Sequence, residues 1–307
     1  MDWSERYIKR GDPTKPTYYI IRHELSSIGI MSYFRLAAGY IRYALSKGWI
    51  PVIDLQNYPN TYLAPEEIGK KNAWEYYFEQ PFNVGLEEAY SGENVVLCAS
   101  GTPIPLEMPP VTMDYYENKD STLAEWRNFI KLGMLRVKPE ILKEVAALRE
   151  KFFAPNDRVL GVYLRGTDYV ARRPHNHPIP PPIEFAVSTV VAKLQEWQCN
   201  KIFLSTEDKT IVQTFKNVFG DLCVTIDRQY VDYNSQQANF ITVSRINREN
   251  DRFLQGKEYL TEMLLLTMCN SLVVTRCAGA ICVMMMTDRF EHTYTFNLGR
   301  YGVIGLD

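Results

Sequence analysis

The chain has 307 residues, 46% hydrophobic and 23% charged, a balance that supports a sizeable core and excludes disordered, fibrous and disulfide-dense classes. Lys+Arg total 34 against 36 Asp+Glu, and a formal net charge of −2 is too even for the broad basic face that long nucleic acid requires. At roughly 100 to 200 residues per domain, two domains are favoured over one.

The opening Met1 to Thr17 lacks the apolar core of a signal peptide, and the longest apolar stretches fall short of the ~18 residues of a membrane span. The expectation is therefore an unexported protein with no integral membrane segment, for which peripheral membrane association stays open. The six cysteines (Cys98, Cys199, Cys223, Cys269, Cys277, Cys282) form no CxxC pair and sit in apolar patterns. Reduced core thiols, and hence a cytoplasmic location, are expected.

In chain order, Tyr18 to Arg22 (YYIIR) predicts a buried strand. The turn-like His23-Glu24-Leu25-Ser26-Ser27-Ile28-Gly29 leads into Ser32 to Ser46, where Phe34, Ala37, Ala38, Ile41 and Leu45 recur at helical spacing. Ser26, Ser27 or Ser32 is the expected cap. Gly48 stops that helix, and Trp49 to Asp54 (WIPVID) predicts the next strand of a right-handed crossover unit, common in nucleotide-binding domains. Leu55 to about Pro110 is rich in Asn, Pro, Tyr and Gly, and only Asn72 to Phe78 and Asn94 to Cys98 look ordered. Its aromatic side chains either pack beneath the loop or line a substrate. Ser121 to Leu135 and Pro139 to Phe153 predict amphipathic helices, ending at the boundary signal Ala154-Pro155-Asn156-Asp157.

Beyond it, strands at Val159 to Leu164, Lys201 to Ser205, Leu222 to Ile226 and Ser271 to Thr275 alternate with helices. These lie at Ile183 to Trp197, Lys209 to Phe219, Tyr259 to Met268 and Gly279 to Met285. Such alternation predicts a second doubly wound parallel sheet. The expected fold is α/β and GT-B-like, two doubly wound parallel-sheet domains facing across a cleft. An N-terminal domain over 1–155 would be the acceptor side, and 156–307 a Rossmann-like domain.

Ligands of open α/β sheets bind beyond the carboxyl ends of the strands, so the residues just after each strand carry the chemistry. After the strand at Val159 come Tyr163-Leu164-Arg165-Gly166-Thr167-Asp168-Tyr169. This arrangement either presents Arg165 to a diphosphate with Asp168 orienting it, or is a structural Arg–Asp pair at a turn. The loop runs on through Arg172, Arg173, His175 and His177; as metal ligands the histidines would need a third partner that the sequence does not reveal. Ser205-Thr206-Glu207-Asp208 reads as an N-cap, or, beside a nucleotide, as a carboxylate accepting from the N1–H and exocyclic amine of guanine. Thr275-Arg276-Cys277-Ala278-Gly279 opens a helix with small residues, where free backbone N–H groups favour a phosphate. In the first domain the corresponding place is the loop from Arg22 to Gly29.

Three stretches taken in order resemble the C-terminal motifs of inverting GDP-fucose-dependent fucosyltransferases, with most likeness to the α1,6 branch of rhizobial nodulation and core N-glycan enzymes. They are Val162 to Tyr169 (VYLRGTDY), Ile202 to Asp208 (IFLSTED), and Glu258 to Gly279 (EYLTEMLLLTMCNSLVVTRCAG). The resemblance covers roughly 158 to 285 and, more weakly, Tyr18 to Asp54, where Gly29 sits in the place of a glycine-bearing loop near the donor diphosphate. It implies that Arg165 contacts the β-phosphate and leaving-group oxygen, that Asp208 reads guanine, and that Thr275, Arg276 and Cys277 cradle the diphosphate. Tyr163, Ser205 and Thr206 complete the expected donor-binding set. Departures are present: Tyr163 replaces a histidine, Tyr169 replaces the lysine of the core-fucosylating branch, and Arg276-Cys277 replaces a serine pair. The glutamate proposed as base in the family has no counterpart at matching spacing.

The implied reaction moves fucose from GDP-fucose to a glycan hydroxyl with inversion, for polysaccharide biosynthesis. No cofactor and no metal are expected, because no DxD pair follows a strand of the second domain and Arg165 supplies the positive charge. Candidate bases are Glu24 or His23, Asp168, and His175 or His177, with Glu24 and His175 ranked level and Asp168 expected to orient Arg165. Two alternatives stand beside this reading: a transferase for another GDP-sugar, such as a deoxyhexose or heptose, and a catalytically silent glycan- or nucleotide-binding protein. No nucleic-acid partner is expected.

Overall fold

The structure is a computed structural model that describes residues 6–22, 24, 27–98, 119–232, 245 and 247–303, without the side chains of 119–121, 167 and 168. His23, Ser26 and the side chain of Asp168 lie outside the described residues. Two compact units emerge: Met1–Leu142 with Asn247–Lys257, and Lys143–Ile246 with Glu258–Asp307.

The first unit holds a sheet of β1 (Arg6–Lys9), β2 (Thr17–Ile21), β3 (Ile50–Ile53) and β4 (Asn94–Cys98) in the order β1-β4-β2-β3. β2 runs parallel to both β3 and β4, while β1 lies antiparallel on β4. Helix α1 (Ile30–Ser46) makes the crossover from β2 to β3 and buries Phe34, Ala37, Ala38 and Ile41, as its spacing predicts. It starts earlier than expected, because buried Ile30 and Met31 form its first turn; extended Gly29 is the N-cap and no serine side chain caps it.

Between β3 and β4 the only α-helix is the short α2 (Leu86–Ser91), and the rest is irregular backbone over an aromatic floor. Trp74 stacks on Phe78 at 4.3 Å, Phe34 meets Phe78 at 5.6 Å, and Tyr77 stacks parallel to Phe253 at 5.9 Å. Tyr77 also donates to the Phe253 carbonyl at 3.0 Å. Gly256 is required beside it, since a Cβ there would lie 2.3 Å from the Tyr77 hydroxyl. These contacts draw the start of α8 (Asp251–Leu266) into the first unit, so that helix begins well before the expected Tyr259. Buried side chains replace the missing backbone ladder: Asn72 Oδ1 accepts from Leu55 and Trp74 N–H while its amide donates to the Ile53 carbonyl.

Helices α3 (Lys119–Lys131) and α4 (Pro139–Phe152) follow. Phe152 and Phe153 pack on Phe203, which assigns most of α4 to the second unit and moves the division ahead of the expected Ala154–Asp157 signal.

The second unit carries β5 (Val159–Tyr163), β6 (Lys201–Ser205), β7 (Cys223–Val224), β8 (Ser271–Thr275) and β9 (His292–Phe296), all parallel, in the order β7-β6-β5-β8-β9. Its helices are α5 (Thr167–Arg172), α6 (Ile183–Glu196), α7 (Lys209–Phe219), the rest of α8, and α9 (Ala278–Met286). Leu160, Val162, Leu204 and Val273 of the sheet pack with Val190 and Phe215 from the helices. Gly161 lets α8 approach β5 closely, because a Cβ would sit 3.0 Å from Leu266. β7 is only two residues long, since a turn at Gly220–Leu222, with Gly220 at φ +52°, takes up the start of the expected strand. The α/β class with parallel sheets is as expected. All six cysteines are free and buried. Among the described residues, no helix is long and apolar enough to cross a membrane.

Candidate functional site

In the second sheet the chain steps from β5 to β6 and β7 on one side, then returns to β8 and β9 on the other. The reversal lies between β5 and β8, and the crevice at the carboxyl ends of such a pair is where open α/β sheets bind ligands. Arg165 follows β5, Thr275 ends β8 and Arg276-Cys277 follow it, so these residues stand on its two sides.

Thr275 joins them. Its Oγ1 accepts from the Arg165 N–H at 3.0 Å and donates to the Tyr163 carbonyl at 3.4 Å, fixing the turn that carries Arg165. The guanidinium carbon of Arg165 lies 4.6 Å from the centre of the Tyr169 ring, a cation–π contact that helps to seat the charge. Gly166 allows the turn to pass against Asp208, because a Cβ there would lie 2.9 Å from Oδ2. Cys277, extended and buried, is the N-cap of α9, and burial pushes its thiol pKa up while the nearby Arg165 charge opposes the shift.

Other expected donor contacts face inward. Tyr163 is buried, and its hydroxyl pairs with that of Tyr259 at 3.0 Å beneath Gly279, where a Cβ would meet Tyr259 at 2.3 Å. Its side chain is thus part of the core, which corrects the expectation of a ligand contact. Ser205 donates to Glu262 at 3.1 Å, and Thr206 Oγ1 accepts from the Asp208 N–H at 3.2 Å, so both buried hydroxyls are spent internally. Asp208 is the N-cap of α7: Oδ1 accepts from Thr210 and Ile211 N–H, leaving Oδ2 beside the Arg165 turn. Here the capping reading and the site reading coexist in one side chain.

Glu24 and Gly29 belong to the first unit, and Glu24 is ion-paired with Arg22 at 2.9 Å. His175 is exposed, its ring set against Gly302 on a loop that pairs with 299–301. His177 packs edge-on to Tyr169 at 5.2 Å. Among the described residues, no group of three or more His, Cys, Asp or Glu side chains is placed to hold a metal.

One cluster went unread in the sequence. Arg228, which follows β7, is buried against Glu262 at 3.3 Å and Glu258 at 3.6 Å. Burial pushes Glu262 up to about 7 against the pull of Arg228, and its Oε1 has no hydrogen-bond partner among the described residues. Glu258 and Glu262 lie four apart on α8, a mildly destabilising like-charge spacing, but it names no partner.

No protein-family model matches the sequence, and no curated protein does. Solved structures match the fold. The NodZ α-1,6-fucosyltransferase, in crystals soaked with GDP-fucose, is 16% identical over 94% of this chain and 98% of that one, with a TM-score of 0.54. The chain has the fold of these fucosyltransferases. NodZ from Bradyrhizobium is 15% identical over 89% and 94% of the two chains, also with a TM-score of 0.54. POFUT1 in complex with GDP is 11% identical over 93% and 99%, again at 0.54. Likeness at this identity concerns backbone architecture. The side chains of the crevice are this chain's own, and Arg165 with Thr275 forms the part of it tied together by hydrogen bonds.

Proposed function

We propose that this chain is an inverting glycosyltransferase that moves fucose from GDP-fucose to a glycan hydroxyl without a metal. The observation that carries the reading is Arg165 held by Thr275 across the strand reversal, in a fold shared with fucosyltransferases. In the reaction an acceptor oxygen forms a bond to C1 of fucose as the bond from C1 to the β-phosphate oxygen breaks, and the acceptor's proton leaves to a base or to water. The departing diphosphate gains negative charge, which Arg165, the backbone N–H groups opening α9 and Arg276 would stabilise. Glu262, whose Oε1 has no hydrogen-bond partner among the described residues, suits the donor pair of guanine in place of Asp208, which lines a cavity on the α6 and α7 side. Free, buried thiols fit a reducing compartment, and we place the enzyme in cytoplasmic polysaccharide biosynthesis.

A second reading, transfer from another GDP-sugar, draws on Tyr163, whose hydroxyl is spent on Tyr259 where the fucosyltransferases present a histidine. GDP release from GDP-fucose and from GDP-mannose, measured with EDTA present, separates the two. Release from GDP-fucose supports the first reading together with metal independence. Activity restored only by Mn²⁺ refutes the latter, and release from GDP-mannose alone favours the second.

A further inference from the structure

A cavity of about 440 Å³ opens beside Arg165 on the side of α6 and α7. Among the described residues its charged lining is Arg165, Asp208 and Glu184, and Val170, Pro181 and Ile183 form an apolar wall. One cation against two carboxylates disfavours a nucleoside diphosphate, which would bring further negative charge into a concave space. A neutral pyranose suits it. Ring hydroxyls donate to carboxylates, while the C–H faces of the ring lie on proline and aliphatic surface. The two carboxylates are not equivalent, since Asp208 Oδ1 is spent on the first turn of α7. Glu184, exposed in the first turn of α6, has no side-chain partner among the described residues.

We propose that this cavity is the acceptor-sugar subsite, which takes a neutral pyranose unit with Glu184 accepting from one of its hydroxyls. The assignment rests on the reading of Arg165 as the leaving-group contact, with the diphosphate toward Thr275–Cys277 on the other side of β5. The acceptor is then left the α6 and α7 side.

The test uses the full chain and saturation-transfer NMR with methyl β-glucopyranoside, methyl N-acetyl-β-glucosaminide and methyl β-glucuronide, while GDP binding is followed separately by thermal shift. Binding of a neutral glycoside and exclusion of the glucuronide are expected. Glu184→Gln should weaken that binding about 10-fold, the worth of one charge-assisted hydrogen bond. Val170→Trp, at a position 53% exposed and so free of core packing, should fill the cavity and abolish the signal. Melting curves check each variant, and if one fails to fold the other decides. Failure of every neutral glycoside to bind, preference for the glucuronide, or binding unchanged in the folded variants overturns the subsite. GDP bound with no glycoside sinks the subsite alone, whereas a glycoside bound with no GDP sinks the donor reading.

Discussion

The two units hold their backbones in place by different means. In the first, much of the chain between β3 and β4 has no ladder, and Asn60, Asn72 and Gln80 side chains bond the buried backbone over a floor of Trp74, Phe78, Tyr62 and Tyr77. In the second, regular parallel strands satisfy their own backbone and the core is mainly aliphatic, so polar side chains at the strand ends are released for other work. The ends of β5, β6 and β8 accordingly hold Arg165, Asp208 and Thr275. The contrast shows what regularity leaves available: in a laddered sheet the polar groups can gather at one edge, whereas in an irregular loop they are consumed where they stand.

Substitutions can break or sharpen that contrast. The largest effect should come from Trp74→Ala, which removes a fully buried ring from the aromatic floor and should cost ~3–5 kcal/mol in a denaturant melt. A loss under ~1 kcal/mol would show that the floor is not what supports the loop. Arg165→Ala should lower GDP release from GDP-fucose by ~10²–10³-fold, as for loss of one preorganised donor, and leave the melting temperature unchanged. Near-normal turnover in that variant would end the proposed function. Asn72→Ala strands several buried backbone groups and should cost about 1–3 kcal/mol, read by thermal melting.

A subtler effect concerns pH. Glu262 binds its proton more tightly in the folded chain, at about 7, than an ordinary carboxyl near 4.5 does. The stability it contributes is fully present below the unfolded value and is lost as pH rises through about 7. Melting temperature should fall over that interval, and Glu262→Gln should flatten the fall. An unaltered profile in the variant would assign the dependence to another group. Smallest of all, Thr275→Val keeps shape but removes the hydroxyl that fixes the Arg165 turn. We expect a loss of about 1 kcal/mol in stability and a lower kcat at unchanged KM.

The second unit was readable because its strands and helices alternate with strong apolar patterns; β6, α7 and β8 begin and end where the periodicity places them. The short α5, β1 and the edge strand β9 were not, since an edge strand needs only one partner and tolerates polar residues such as those of His292–Phe296. Arg165, Asp208 and Thr275 were found from their place after strands. Tyr163 entered the expected donor set because it replaces a histidine of the resembling family, and both faces of a covered parallel strand are apolar, so alternation could not show that it turns inward. The Arg228–Glu262 pair joins residues 34 apart through tertiary packing alone, which no local spacing encodes.

The short stretch 247–257, which lends Phe253 and Gly256 to the first unit, has a consequence for synthesis. As the chain leaves the ribosome, the amino-terminal unit cannot complete its aromatic floor until that stretch has emerged. At ~5–20 residues per second, its earlier residues wait several seconds for their last packing partner. Translation and folding are therefore interleaved: residues 143–246 of the second unit are already made when the stretch that completes the first unit emerges.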